Sequence, residues 1–144
     1  MLSQELIKIN QHEAEFEKIQ TQLNVLPIRM LDTKDTEALS KRRPSDYTLV
    51  ATTGVTFAEV KGCGNATRFD FSRIRPAQWV YADLITKKQQ KYFFWVFNIP
   101  ENIWYVVPAQ IFLEAKRAGD KSIRFEKLQQ YREKYEKTQT PRDS

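Results

Sequence analysis

The sequence predicts an α/β protein in which helices flank a mixed central sheet. Apolar residues recur with helical spacing near the N-terminus, several β-rich runs follow, and a second helical segment separates those runs. The resulting order, α-β-β-β-α-β-β-α, favours a sheet with helices on its faces. At 144 residues and 41% hydrophobic, the chain is long enough for one compact domain. We expect that domain over residues 1–137 and a disordered tail at 138–144.

The first predicted helix covers residues 2–24. Its apolar side chains form one stripe, at Leu2, Leu6, Ile9, Phe16 and Leu23. Glu13 and Gln20 continue the same stripe, so two polar side chains stand where the pattern requires apolar ones. A carboxylate that reaches water from the edge of a surface helix would account for Glu13 without any function. His12 lies off the stripe, and we expect it to be exposed.

The next segment predicts an edge strand followed by a hairpin. Residues 25–31 are β-rich, and Pro27 places this strand at a sheet edge or a bulge. A polar connection covers 32–45. Two further β-rich runs in 46–61 surround a turn at 52–54, which predicts a β-hairpin.

The second half of the chain alternates helices and strands. The run 76–88 predicts a helix because proline stands in its first turn, and the aromatic run 92–97 predicts a buried strand. A second strand is expected at 103–107, and residues 109–117 are a candidate for a further short helix. A charged terminal helix is expected at 125–137. The inward side chains of that helix would be Phe125, Leu128, Tyr131 and Tyr135.

Composition restricts the function classes. Twenty-three Lys and Arg against eighteen Asp and Glu give a formal charge of +5, which favours a polyanionic partner or else a solvated basic surface. The single cysteine, Cys63, excludes an internal disulfide and has no metal-ligand spacing around it. No apolar run reaches transmembrane length, and no signal peptide is evident. We therefore expect a soluble cytoplasmic protein of cellular or phage origin.

Three charged residues meet at the predicted hairpin. Glu59 and Lys61 lie two apart in one strand, so their side chains project from the same face. Pairing across the turn places Asp46 opposite Glu59 or Lys61, depending on which two residues form the turn. The hairpin alone therefore predicts a site of two carboxylates and one ammonium.

This combination suits phosphodiester hydrolysis. Paired carboxylates hold Mg²⁺, which activates water and neutralises charge, while lysine adds positive charge near the scissile phosphate. The alternative is an ordinary cross-strand salt bridge. The E-x-K spacing carries little weight by itself, because it recurs at Glu114 and Lys116 in a predicted helix.

The motifs resemble those of a known superfamily. "PSDY" followed by "FAEVK" is similar to the D…(D/E)-x-K signature of PD-(D/E)XK nucleases, and "RFDFSRIRPAQ" and "GDKSIRFEKL" resemble segments of RecU-type Holliday junction resolvases. The resemblance runs from about Pro44 to Leu128. It implies a restriction-endonuclease-like core and a Mg²⁺-dependent endodeoxyribonuclease, with Mn²⁺ as a substitute. It also implies a homodimer that resolves four-way junctions by paired nicks in DNA recombination and repair.

The resemblance assigns roles to the hairpin residues. Asp46 and Glu59 would be metal ligands, and Val60 would also belong to the metal site. Lys61 would be the catalytic lysine. The alternatives are a related nuclease acting on other DNA structures or, outside the enzymes, a nucleic-acid-binding domain without catalysis. The complete Asp46, Glu59 and Lys61 set argues against a binding module.

Helical segments would complete the site. Gln78 matches a helix glutamine that such resolvases place near the active site, and a surface amide is the alternative. The family draws a carboxylate from its first helix, for which Glu13 is the candidate and Glu17 the alternative. The connection at 32–45 is short, which leaves little room for the stalk that larger members insert into the junction.

Two basic clusters flank the predicted site. One precedes the Asp46 strand and the other precedes the Gln78 helix. Their members are Lys41, Arg42, Arg43, Arg68, Arg73 and Arg75. Such side chains contact DNA phosphates without reading sequence, and solvated loop charges are the alternative.

Overall fold

A five-stranded mixed sheet forms the centre of the computed structural model, which describes residues 11–30 and 45–133. The fold class that the sequence predicts is confirmed. The helices are α1 (Gln11–Gln22), α2 (Pro76–Lys87) and α3 (Ala109–Arg117). The strands are β1 (Leu26–Arg29), β2 (Tyr47–Ala51), β3 (Gly54–Cys63), β4 (Arg68–Asp70), β5 (Lys91–Asn98), β6 (Ile103–Pro108) and β7 (Ser122–Arg124).

The strand order across the central sheet is β1-β2-β3-β5-β6. Strand β1 carries Pro27 and lies at one edge, where a missing N–H is tolerated, which is the first of the two placements that the sequence left open. Strands β3 and β5 are parallel, and the other neighbours are antiparallel. The parallel pair requires a crossover, which residues 64–90 supply through β4 and α2.

The predicted hairpin is formed by β2 and β3. Ala51 pairs with Gly54 and Tyr47 pairs with Ala58, so the turn consists of residues 52 and 53. Gly54 has φ of 141°, a conformation that residues with a side chain rarely adopt. This register is the first of the two that the sequence left open.

Helices cover both faces of the sheet. Phe16 of α1 is fully buried and lies against β2, β5 and β6 through ring contacts such as those with Tyr47 and Trp95. On the opposite face, Phe94 of β5 stacks on Phe112 of α3, with ring centroids 5.0 Å apart. Alternate residues of β3 and β5 therefore serve two separate apolar cores.

Two predictions, one about the C-terminal helix and one about the end of the first helix, are wrong. Residues 125–131 form a 3₁₀-helix, not an α-helix, because Arg132 then turns extended and bridges Tyr105 at the edge of β6. Phe125 and Leu128 are nevertheless buried, as expected. Leu23 is 49% exposed because α1 ends at Gln22, before the stripe reaches that residue.

A small second sheet was not predicted. Strands β4 and β7 pair antiparallel, with Phe69 opposite Ile123. The sequence placed the first of these strands in a loop, because three residues are too few for a periodic pattern to emerge.

Some sequence predictions fall outside the described residues. They are the start of the first helix, most of the connection at 32–45, Tyr135 and the tail at 138–144. In residues 11–30 and 45–133, no helix is long and apolar enough to cross a membrane.

Candidate active site

The hairpin brings Asp46 to the same level of the sheet as Glu59. Asp46 directly precedes β2, and the Tyr47–Ala58 pairing extends to place it opposite Glu59. Its Oδ2 accepts a hydrogen bond of 2.8 Å from the main-chain N–H of Val60. Asp46 is only 6% exposed, so this bond holds a buried carboxylate beside β3. Carboxylates in such positions are stabilised by backbone donors.

Glu59 and Lys61 form an ion pair on one face of β3. Nζ of Lys61 lies 3.0 Å from Oε2 of Glu59. The Glu59 side chain is fully buried and that of Lys61 is 17% exposed. The prediction that the two side chains project together is confirmed. A buried ion pair is expensive to desolvate, which makes its presence in a central strand informative about function.

The two candidate acids of the first helix have different partners. Glu13 forms an ion pair with Arg29 of β1. Glu17, one turn later, accepts a hydrogen bond from the hydroxyl of Tyr47. Burial raises the pKa of Tyr47 well above its ordinary value, and the hydrogen bond to Glu17 raises it further. Both acids are therefore engaged, Glu13 with Arg29 and Glu17 with Tyr47. Glu13 also directly follows His12, whose pKa is influenced by the charges of Asp46 and Lys61.

The sequence predicts that His12 is exposed, but in the structure this residue is half-buried. Its imidazole lies over Gly62 of β3, so that a Cβ atom at residue 62 would be 3.3 Å from Nδ1. Burial lowers the pKa of His12, and Glu13 and Asp46 only partly oppose that effect electrostatically. Lys61 also lies within electrostatic range of the imidazole. Sequence reasoning missed this residue. The signals that could have found it are its position beside Glu13 and the glycine that follows Lys61.

Gln78 is buried, so the alternative of a surface amide is wrong. It is 2% exposed in the first turn of α2, where its Oε1 accepts a hydrogen bond of 2.9 Å from the main-chain N–H of Arg75. Its Nε2 has no hydrogen-bond partner among the described residues. The side chain thus caps a helix and retains a buried amide group that can still donate.

Comparison with known proteins relates this geometry to an activity. The profile of the RecU family, described as Recombination protein U, matches residues 5–142. The chain belongs to the RecU family. It is a Holliday junction resolvase, an endonuclease that resolves four-way DNA junctions.

A solved structure also resembles this RecU family chain. It is Hjc, a Holliday junction resolvase from the archaeal hyperthermophile Archaeoglobus fulgidus. The TM-score is 0.51 at 12% identity, over 69% of this chain and 75% of that chain. At this identity the likeness is one of fold. No curated protein sequence matches the chain.

Arginines of the second basic cluster are exposed in this RecU family structure. Arg68 begins β4, Arg73 ends the short 3₁₀ turn after it, and Arg75 precedes α2. Arg73 lies within electrostatic range of His12. The other cluster, Lys41 to Arg43, lies outside the described residues.

The donor atoms near Asp46 and Glu59 suit a hard cation. Both side chains offer carboxylate oxygens, which Mg²⁺ and Mn²⁺ prefer. In the described part of the chain, no group of three or more His, Cys, Asp or Glu side chains is arranged to hold a metal. Further ligands would therefore come from main-chain oxygen, water or DNA phosphate, as is common for Mg²⁺. The residues present fit such an ion.

Proposed function

We propose that Asp46, Glu59 and Lys61 form the active site with which this resolvase hydrolyses DNA phosphodiesters. The observation that carries the proposal is the Glu59–Lys61 ion pair of 3.0 Å, on the strand to which Asp46 is hydrogen-bonded through Val60. A core strand gains little from such an arrangement, since charges are costly to bury. A site for hydrolysis needs both signs of charge close together.

Asp46 and Glu59 would hold a Mg²⁺ ion together with the main-chain carbonyl of Val60, and Mn²⁺ would substitute for it. When bound, the ion lowers the pKa of a coordinated water and neutralises charge on the scissile phosphate. The site for the ion is pre-formed in part, since the bond from the Val60 N–H orients the Asp46 carboxylate.

Lys61 would act on the reacting phosphate. Its ammonium is held by Glu59 and remains partly exposed, so it can reach a phosphate oxygen or the attacking water. In the reaction, the water oxygen bonds to phosphorus and one bond from phosphorus to a sugar oxygen breaks. Water loses a proton and the departing sugar oxygen gains one. Positive charge at Lys61 stabilises the negative charge that builds on the phosphate in the transition state.

Glu13 and Gln78 would support this centre. Both acids have partners, Arg29 for Glu13 and the buried Tyr47 for Glu17. Glu13 is proposed over Glu17 because it adjoins His12, whose pKa is influenced by the charges of Asp46 and Lys61. Gln78 has a buried Nε2 that could donate to a water or phosphate oxygen at the site.

The basic residues would hold the DNA backbone. The exposed Arg68, Arg73 and Arg75 are proposed to contact phosphates, together with Lys41, Arg42 and Arg43 in the segment before Asp46. Phosphate contacts release counterions, so binding should be salt-dependent and largely independent of sequence. Of these three arginines, Arg73 is the one whose charge influences the pKa of His12.

A homodimer would make the two nicks. Junction resolution requires cuts at related positions in two strands, and residues 11–30 and 45–133 of one chain offer one such site. A two-fold dimer is the simplest arrangement that presents identical sites to a two-fold substrate. With Ca²⁺ in place of Mg²⁺, we expect two chains on each four-way junction.

The test compares cleavage of four-way junction, flap, duplex and single-stranded DNA in Mg²⁺ by the wild type and by Glu59→Gln. We expect preferential junction cleavage by the wild type and loss of nearly all cleavage in the variant. Glu114→Gln is a matched control, because it alters the second E-x-K spacing, on α3. Wild-type cleavage by Glu59→Gln would remove this carboxylate from the active site. In a supercoiled cruciform plasmid, mainly nicked product would argue against the paired-site dimer.

A further inference from the structure

The first turn of α1 contacts β3 at Gly62, where the strand has no side chain. Gly62 directly follows Lys61 and is buried. A Cβ atom there would lie 3.3 Å from Nδ1 of His12, 3.4 Å from its Cε1 and 3.5 Å from Cδ1 of Ile99. The first distance is tighter than ordinary van der Waals contact, and the second lies at its lower limit. The imidazole of His12 therefore rests directly on the main chain of β3.

The two neighbours of Gly62 differ in their freedom to move. Ile99 is 53% exposed in the turn after β5, so its side chain can rotate away into solvent. His12 is half-buried and belongs to a helix whose next turn is anchored by the fully buried Phe16, so its imidazole gives way only by rotating the side chain or by moving the start of the helix. A larger side chain at residue 62 would therefore press on His12 at the start of α1.

Glu13 is the residue that such a displacement would move. It follows His12 in the same helical turn, and its side chain is tied to Arg29 of β1. A shift of α1 away from β3 would change the position of the Glu13 carboxylate relative to Asp46, Glu59 and Lys61. Because active-site geometry must be accurate to a fraction of an ångström, small shifts affect rates strongly.

We propose that His12 is a positioning residue whose contact with Gly62 sets the place of Glu13 at the active site. The inference rests on the proposed role of Glu13 in the reaction. It assigns a function to the chain's single histidine and explains why a glycine occupies a buried position in a central strand, where glycine is unfavourable.

The test is a double-mutant cycle with the full chain. Gly62→Val should slow junction cleavage by about tenfold or more, and Gly62→Ala by a smaller factor, since displacements well below 1 Å are already costly. His12→Ala should also slow cleavage, yet the double variant His12→Ala/Gly62→Val should cleave faster than Gly62→Val alone. Gly64→Val is the matched control, because no atom lies within 4 Å of a Cβ at that position. It should cleave like the wild type.

Two further measurements separate positioning from a general loss of structure. The Mn²⁺ concentration for half-maximal cleavage should rise in Gly62→Val and return toward the wild-type value in the double variant. Junction binding in Ca²⁺ and the melting temperature should change little, and Gly62→Ala serves if Gly62→Val does not fold. An unchanged Mn²⁺ dependence, or additive effects of the two substitutions on the rate, would overturn the proposal. Wild-type cleavage by Glu13→Gln would instead remove the role of Glu13, so the two failures are distinguishable.

Discussion

Replacing Lys61 by methionine tests whether the buried ion pair exists for catalysis or for stability. Methionine keeps the apolar stem of the side chain but leaves the fully buried Glu59 carboxylate without the ammonium that now lies 3.0 Å from it. Removing one partner of a buried pair typically costs about 3–5 kcal/mol of unfolding free energy. Because Lys61 is 17% exposed, water offsets part of this loss, and we expect about 3 kcal/mol.

The double variant Glu59→Gln/Lys61→Met separates the two roles. It removes both charges, so its stability should return to that of the wild type or exceed it, since apolar or neutral replacements of buried pairs are often neutral or stabilising. Cleavage should be lost in the double variant as completely as in Lys61→Met. Stability would thus recover while activity does not.

The assay is urea or thermal unfolding at neutral pH with a chelator present, followed by junction cleavage in Mg²⁺. For a chain of this size, a loss of about 3 kcal/mol lowers the melting temperature by ~6–12 °C. If Lys61→Met unfolds at the wild-type temperature, the pair is not a costly buried one and the reasoning from burial is refuted. If Lys61→Met cleaves normally, the lysine is only a salt-bridge partner.

Three other outcomes are expected. Asp46→Asn should lose most cleavage but keep its melting temperature, since its side-chain oxygen can still accept the hydrogen bond from β3; normal turnover would exclude it as a metal ligand. Glu13→Gln should slow junction cleavage more than Glu15→Gln, and equal small effects would favour Glu17 or no helix acid. Burial raises the pKa of Tyr47, so its phenol loses a proton at a lower pH in the unfolded chain than in the folded one. The unfolding free energy should therefore fall as pH rises above the ordinary pKa of 10.0. Tyr47→Phe should remove that part of the loss in alkaline unfolding curves.

The central trio could be predicted because its geometry is local. The two-residue period of a strand places Glu59 and Lys61 on one face, whatever packs around them. The hairpin then brings Asp46 to them across a turn only two residues long, and the hydrogen bond to Val60 joins residues only 14 apart in sequence. Which of two turn registers forms was open, because both Gly54 and the threonines before it suit a turn. The structure has the register in which Asp46 lies opposite Glu59.

Elements that depend on distant partners could not be predicted from periodicity. The segment after Phe125 has helical spacing, but it ends as a 3₁₀-helix because Arg132 pairs with Tyr105 at the edge of β6. Strand β4 is too short to show a pattern and exists through its pairing with β7. In both segments, tertiary pairing decides a conformation that local propensity leaves open.

The sequence by itself determined the α/β class and the pair of charges on β3, since each follows from spacing along a continuous run, and Pro27 limited β1 to a sheet edge or a bulge. Only the tertiary structure decided that His12 rests on Gly62, that Gln78 is buried, and that Glu17 is bound by Tyr47. These contacts join elements far apart in the chain, and their geometry depends on how helices dock onto the sheet. Docking is set by the summed packing of many side chains, which no local pattern records.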